Sequence, residues 1–343
     1  MAMGSTRTII TTAVITAGIA LLALLYQTVF KRHPQISMRP RKNRNEVKDM
    51  KWECAGRVVK IMIYPVKSCS GIVVGSAKTK LVGLVDGETT DRSFIICNNK
   101  GTMITARMIP SIVLIRPVVE DNTLTLKFPG IEDLKVNISE VKENNKIMAV
   151  KVWSEETSGL DCGDGPSNWL QMILGRKCHL LYHADLPSPR MRDVNDIKTF
   201  PLLRTDNHSL YADEAGFLLM TEESVADLQG RVQCQIAAEN FRPNILVNKI
   251  REPYDEDGWE YVKIGEAVFR HVSPCMRCIF TTINHETGKK DPNQEPLKTL
   301  KTYRCIGGSK DPHFGIYLGL DLPGVISEGD EVFVTRAVKT TCS

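Results

Sequence analysis

Between Trp52 and Trp153 the chain alternates short β-branched runs with turn formers, and that spacing limits its fold more than any other feature. The runs are Val58 to Ile63, Ser93 to Cys97, Ile112 to Ile115, Thr123 to Phe128 and Met148 to Trp153, separated by Gly, Asn, Asp and Pro. Short strands at such spacing predict an antiparallel sandwich or barrel rather than a βαβ array. A helix is expected next, with Pro166 at its first position, an apolar stripe of Trp169, Leu170, Met172 and Ile173, and Gly175 as its stop. The Pro-punctuated stretch 185–207 reads as a crossing between two halves. Beyond it, Thr221 to Gly230 has an N-cap residue, an acidic first turn and a terminal Gly, which predicts a short helix. Strands resume at Asn244 to Val247, Trp259 to Ile264 and Ala267 to Val272, and a last one follows Gly324. The expected fold class is mainly β with a few helices (α+β).

The amino terminus is of another kind. Ile9 to Phe30 is 22 residues without a charge, enough to span a membrane as one helix. A secretory signal would have a shorter apolar region and a small-residue cleavage site, whereas Tyr26, Gln27 and Phe30 occupy that end. Eight basic residues between Lys31 and Lys51 follow the run, so the positive-inside rule places the body in the cytosol. The net charge of +4 then changes meaning. Residues 1–51 hold nine of the 44 basic residues and two of the 40 acidic ones, leaving 35 against 38 for the body. A slightly acidic body argues against nucleic acid as a partner. Ten scattered cysteines in a cytosolic body are expected as reduced thiols. The chain divides into an anchor and tether over 1–51, a β-rich segment over 52–184 and a second β domain over 185–343.

Candidate chemistry is concentrated in a few loops. In His271-Val-Ser-Pro-Cys275-Met-Arg-Cys278, directly after a strand, two thiols stand three residues apart. Zinc would need two more ligands, and His285, Cys305 and His313 are irregularly spaced for that role. An iron-sulfur cluster needs four cysteines in one pattern, and a thioredoxin-like pair needs a βαβ setting. A buried structural pair, or one thiolate reserved for a metal carried by a cofactor, remains, and Arg277 favours the thiolate of Cys278. Tyr64-Pro-Val-Lys67-Ser68-Cys-Ser70 offers backbone amides, hydroxyls and an ammonium as a phosphate cradle. Asp91-Arg92 and Phe241-Arg242-Pro-Asn244 add strand-edge cations that could converge on the same anion. Gly163-Asp-Gly165-Pro-Ser-Asn168 lacks the third glycine of a dinucleotide fingerprint, and no strand is expected to lead directly into it. With no nicotinamide site and no P-loop, a redox enzyme of this sequence must receive its electrons from another protein.

Taken together, Tyr64-Pro-Val-Lys67-Ser68, Asp91-Arg92, Phe241-Arg242-Pro-Asn244, Cys275-x-x-Cys278 with Thr281-Thr282, and Phe314-Gly315 resemble the MOSC family. Within it, the anchored arrangement is similar to the membrane-bound amidoxime-reducing group, and the similarity runs over essentially the whole chain. The resemblance implies an N-terminal β-rich MOSC-N region, a MOSC β-barrel and a molybdenum cofactor of the molybdopterin type, its metal held by the cofactor's dithiolene and one protein thiolate. By position that thiolate is Cys278, the catalytic and metal residue, with Cys275 structural. Lys67, Ser68, Arg92, Arg242, Asn244 and Arg277 would hold the cofactor, with Asp213 and Tyr317 beside it. The implied activity is reduction of amidoximes, hydroxylamines and related N-hydroxylated compounds to the amine or amidine and water. Electrons would come from NADH through cytochrome b5 reductase and cytochrome b5. A monomer in the mitochondrial outer membrane is implied, with peroxisome as an alternative address. Family members in cofactor sulfuration leave a second reading, a molybdenum-cofactor carrier or sulfur-transfer module. A third is a zinc-stabilised scaffold. Two positions depart from the family: Met276 stands where relatives often carry a small hydroxyl residue, and the loop Tyr211 to Gly216 is more acidic and less hydroxylated.

Overall fold

The strand that begins the body extends over Glu53–Ile63, long enough to meet three neighbours. Its first residues pair antiparallel with Glu331–Arg336, its middle with Ile245–Asn248 and its end with Ile72–Val74. The sheet order Ile245–Asn248, Phe217–Thr221, His313–Leu322, Ala267–Met276, Trp259–Ile264, Glu331–Arg336 and Glu53–Ile63 therefore returns to Ile245–Asn248. Among the described residues this closes a seven-stranded barrel, and closure removes the unpaired edges that an open sheet would expose. Neighbours run antiparallel except Phe217–Thr221 and Ile245–Asn248, whose parallel connection carries the helix Glu222–Arg231. Thr221 caps that helix through its side chain, as its sequence predicts.

The computed structural model describes residues 41–184, 186 and 210–336. The anchor expected over 9–30, and all but one residue of the crossing expected over 185–207, lie outside the described residues. Among the described residues no helix is long and apolar enough to cross a membrane.

Alternation along the strands fills the barrel. In Glu331–Arg336, Val332 and Val334 point inward to meet Ile61, Val262, Phe269 and Leu318, all buried. Trp259 completes this core, its indole N–H donating to Asp255 at 3.0 Å. Two bulges bend the long strand around the barrel. Gly56 lies at one of them, where a Cβ would sit 2.4 Å from the Asn248 carbonyl oxygen, so no larger residue fits.

A second core lies under the amino-terminal half. Ile147–Val152, Glu155–Asp161, His179–Tyr182 and Phe94–Cys97 form a four-stranded antiparallel sheet, and Arg116–Glu120, Thr123–Phe128 and Ile131–Asn137 form a meander. Helix Asp164–Leu174 buries Trp169 and Leu170 against them and ends at Gly175 in the left-handed conformation. Its first residue is Asp164, so Pro166 occupies the third position and not the first.

Three further expectations are corrected. Ile112 to Ile115 is not a strand: Pro110 fixes φ and opens the 3-10 turn Pro110–Leu114, which sends Ile112 and Val113 into the core. The strand Ala267–Met276 runs four residues past its expected end, so Cys275 lies within it and not after it. The strand Glu155–Asp161 does lead towards the Gly163 segment, but the next strand, His179–Tyr182, returns antiparallel, so there is no βαβ unit. The nine described cysteines are all free thiols.

Candidate active site

Loops and strand ends from both halves of the chain line one cavity. Lys67, Ser68, Arg92, Asp213, Arg242, Asn244, Arg277, Cys278 and Tyr317 all face it, together with Arg107, Phe241, Cys275, Met276 and Phe280. Every site residue expected from the sequence is thus on its wall. The roles of the nine differ.

Asn244 acts on the protein itself. It is buried, and its amide nitrogen donates to the Met62 carbonyl and to Asp91 Oδ1, each at 3.1 Å. Its amide oxygen accepts from the Leu218 N–H and from Arg92, each at 3.2 Å. Asp91, which the sequence offered only as a neighbour of Arg92, is 1% exposed, accepts from the Tyr64 N–H at 2.8 Å and pairs with Arg92. One asparagine and one carboxylate therefore tie the end of the first strand, the Asp91-Arg92 turn and the Phe217–Thr221 strand together.

Arg92 and Arg242 stack on Tyr64, with guanidinium carbons 4.5 and 4.1 Å from its ring centroid. Burial works against the Arg92 charge, but Asp91 more than offsets it and raises its pKa. Arg242 has no such carboxylate. Burial first, and then the charge of Arg92, lower its pKa to about 10. Its Nη1 donates to the Cys69 carbonyl at 2.6 Å, while Nη2 is buried without a hydrogen-bond partner among the described residues. Buried donors are nearly always satisfied, so an open guanidinium N–H beside a cavity marks a place for an acceptor.

Lys67 is buried too and donates to the Tyr211 carbonyl at 2.7 Å and to Asp213 at 2.6 Å. Burial alone would raise the Asp213 carboxyl, yet Lys67, then Arg107 and the indole N–H of Trp153, hold it well below the usual range. The Lys67 loop differs from an open amide cradle. The N–H groups of Lys67, Cys69 and Ser70 donate to the carbonyls of Phe94, Val66 and Ile115, so three of its amides are taken within the fold.

Ser68, Arg92 and Arg242 share a backbone property, with φ of 71°, 49° and 58°. The left-handed region costs a non-glycine residue roughly 1–2 kcal/mol. Three such residues around one cavity are what a functional site accumulates.

Cys278 is partly exposed on the wall and opens the turn Ile279–Thr282, its carbonyl accepting from the Thr281 N–H and hydroxyl at 3.1 and 3.0 Å. Cys275 is 2% exposed; burial raises its thiol pKa, against the charge of Arg277 and then a hydrogen bond from the Tyr317 hydroxyl. Burial likewise pushes the Tyr317 phenol well above its ordinary value. Arg277 turns inward, donating from Nε to the Phe314 carbonyl at 2.7 Å and from Nη1 to the Phe241 carbonyl at 2.8 Å. Gly315 follows with φ of 79°, where a Cβ would lie 2.5 Å from Met220. Met276 is 52% exposed.

The lining holds five cations, Lys67, Arg92, Arg107, Arg242 and Arg277, against one carboxylate, Asp213. Among the described residues no three His, Cys, Asp or Glu side chains come together as a metal cage. Cationic groups with one open donor, and a thiol on the same wall, fit an anionic cofactor that brings most of its metal's ligands with it.

Both β-rich parts of the chain have counterparts among known families. The MOSC N-terminal beta barrel domain matches residues 55–177 and the MOSC domain matches residues 206–333, and the chain belongs to the MOSC family. It is 35% identical over 324 residues to mitochondrial amidoxime-reducing component 1 of Mus musculus, covering 93% of this chain and 91% of that one. The human protein of the same name is 36% identical over 81% of this chain and 83% of its own. Human mitochondrial amidoxime reducing component 2 is 34% identical with the same coverage.

Arg107, Trp153 and the anchoring role of Asp91 escaped the sequence reading. Asp91 could have been found as the carboxylate adjoining a candidate ligand arginine. Arg107 and Trp153 carry no motif, and only the fold brings Arg107 to the cavity wall and Trp153 against Asp213.

Proposed function

We propose that the chain is a molybdenum-cofactor-dependent reductase of N-hydroxylated compounds, amidoximes and hydroxylamines among them, fed with electrons by NADH through cytochrome b5 reductase and cytochrome b5. The observation that carries this reading is the cavity itself, where a surplus of buried positive charge and one open Arg242 N–H stand on the same wall as the Cys278 thiol. The names of the relatives support the reaction class. When bound, a molybdenum cofactor supplies a two-electron centre at which an N–O bond can be broken.

The rest falls to the chain. Cys278 would give the metal its protein thiolate. Lys67, Ser68, Arg92 and Arg242 would hold the anionic part of the cofactor, with Arg242 using its open N–H. Asn244 and Asp91 fix Arg92, and Arg277 fixes the Cys278 turn against the carbonyls of Phe314 and Phe241. Asp213 stays ionised and presents acceptor oxygens at the mouth, while the Tyr317 phenol keeps its proton. Residues 9–30 would anchor the enzyme in the mitochondrial outer membrane, which raises the effective concentration of an anchored cytochrome. The boundaries 52–184 and 185–343 would separate the MOSC-N and MOSC portions.

Elemental analysis of the purified full chain, followed by reduction of benzamidoxime with the cytochrome chain, tests the reading. About one molybdenum per chain and formation of benzamidine are expected. Zinc without molybdenum would favour a scaffold. Molybdenum-loaded protein that leaves benzamidoxime untouched would sink the reductase and favour the carrier.

A further inference from the structure

The hairpin joining Ile147–Val152 to Glu155–Asp161 turns through two residues, Trp153 and Ser154. Two-residue hairpin turns favour Gly or Asn where φ is positive. Here Trp153 takes that place, with φ of 56°. A bulky aromatic residue in the left-handed region is a rare choice, and it leaves the residue 43% exposed. The fold therefore neither needs Trp153 at this turn nor buries it.

Contacts tie the indole to two residues of the cavity wall, although it does not line the wall itself. Its N–H donates to Asp213 Oδ1 at 2.7 Å. The guanidinium of Arg107 lies 4.3 Å from the ring centroid, and Arg107 also reaches Asp213 at 3.5 Å. Asp213 and Arg107 both line the cavity, and Asp213 in turn pairs with Lys67 inside it. A strained, exposed ring tied to a site by a hydrogen bond and a cation–π contact is placed for what enters the site. A tryptophan that merely decorated the surface would need neither this backbone conformation nor the two tethers.

We propose that Trp153, held by Arg107 and Asp213, is a specificity-determining residue that stacks against planar, π-bearing substrates at the mouth of the cavity. This rests on the reductase reading for the identity of the substrate, but not for the binding itself. A flat aryl or heteroaryl group bonded to an N-hydroxylated carbon would lie against the indole while its N–O group reaches inward. An N-hydroxylated compound without a ring would gain nothing from Trp153.

The test compares two ligands with one reacting group, benzamidoxime and acetamidoxime, on the full chain and its Trp153→Gly and Trp153→Phe variants, with binding measured by titration calorimetry. Glycine suits the turn's backbone, which guards against misfolding, and phenylalanine keeps a ring. Trp153→Gly is expected to weaken benzamidoxime about three- to tenfold, the range of an aromatic pair, and to leave acetamidoxime within about twofold. Trp153→Phe should recover most of the loss. Equal losses for both ligands, or no loss for either, would overturn the proposal. Because binding is measured without turnover, a protein that binds benzamidoxime but does not reduce it fails the reductase reading alone. If turnover is present, KM for benzamidoxime should rise while kcat holds.

Discussion

Replacing Asn244 by alanine should damage the protein before any ligand is involved. The substitution removes four hydrogen bonds, to the Met62 carbonyl, Asp91, the Leu218 N–H and Arg92. Two of those partners keep other contacts, since Asp91 still accepts from the Tyr64 N–H and still pairs with Arg92. The loss therefore falls on the main-chain groups of Met62 and Leu218, and a buried polar group stripped of its partner costs about 1–3 kcal/mol. Two such groups and a small void come to about 3–5 kcal/mol, a large part of the 5–15 kcal/mol or so that holds a typical domain. Urea unfolding of the cofactor-free protein, followed by tryptophan fluorescence, reads this directly. Asn244→Asp should be worse at pH 8 than at pH 5, because a second carboxylate would then face Asp91. If Asn244→Ala leaves the cofactor-free protein within about 1 kcal/mol of wild type and only the cofactor is lost, Asn244 is a ligand group and its positioning role is refuted.

Other expectations follow from the same cavity and from one buried acid. Arg242→Met removes a charge that repels Arg92 but strips the Cys69 carbonyl of its donor, so the two effects offset in part and the cofactor-free protein should lose no more than about 2 kcal/mol. Molybdenum retention should fall about 10- to 100-fold, the equivalent of one or two charge-assisted hydrogen bonds, as measured by elemental analysis after dialysis. Cys278→Ser should lose the metal with its fold intact by circular dichroism, whereas Cys275→Ser should keep the metal and melt lower, because Cys275 is 2% exposed. Glu256 is fully buried, accepts from Ser224 at 2.9 Å and has its pKa pushed from 4.5 to about 7, chiefly by burial. Between those values the folded chain keeps a proton that the unfolded chain has lost, so stability should fall by about 3 kcal/mol as pH rises through that window. Glu256→Gln should flatten that slope in urea titrations at pH 5 and pH 8, and parallel profiles for the two proteins would refute it.

The sequence was legible where one local rule decides. Trp259–Ile264 and Thr123–Phe128 fall where β-branched alternation put them, and Thr221 caps its helix because a β-region hydroxyl before an acidic turn has few other uses. It was illegible where two rules competed. Ile112 and Val113 look like strand residues, but Pro110 dictates the turn that buries them. The cations were legible as candidates, being charges at strand edges, yet their different duties were not. Arg92, Arg242 and Arg277 read alike in sequence. One is paired with a carboxylate, one has a buried open N–H, and one is spent on carbonyls. The partner of Arg92 adjoins it, but Arg277 depends on Phe314, 37 residues on, and Arg242 on Cys69, 173 residues back. Trp153 was illegible for the opposite reason, because nothing local favours it at a turn.

Distance along the chain also explains how the cavity can be both charged and rigid. The Glu53–Ile63 strand is a stave of a barrel whose other staves all come after residue 210, and it delivers Lys67 and Ser68 beside Cys278. Without that strand, Ile245–Asn248 and Glu331–Arg336 would both present bare edges, so barrel closure and completion of the cavity are one event. This coupling matters for the electrostatics. Mutually repelling guanidiniums 4.5 and 4.1 Å from the same tyrosine ring would separate if their loops were free to move. Hydrogen bonds from Asn244 to the first strand and to Asp91, and from Arg92 to Asn244, keep those loops fixed, so the repulsion is held in place and made available to an incoming anion. A ligand that neutralises Arg242 would therefore stabilise the fold, and its affinity would reflect charge surplus that the barrel keeps in register.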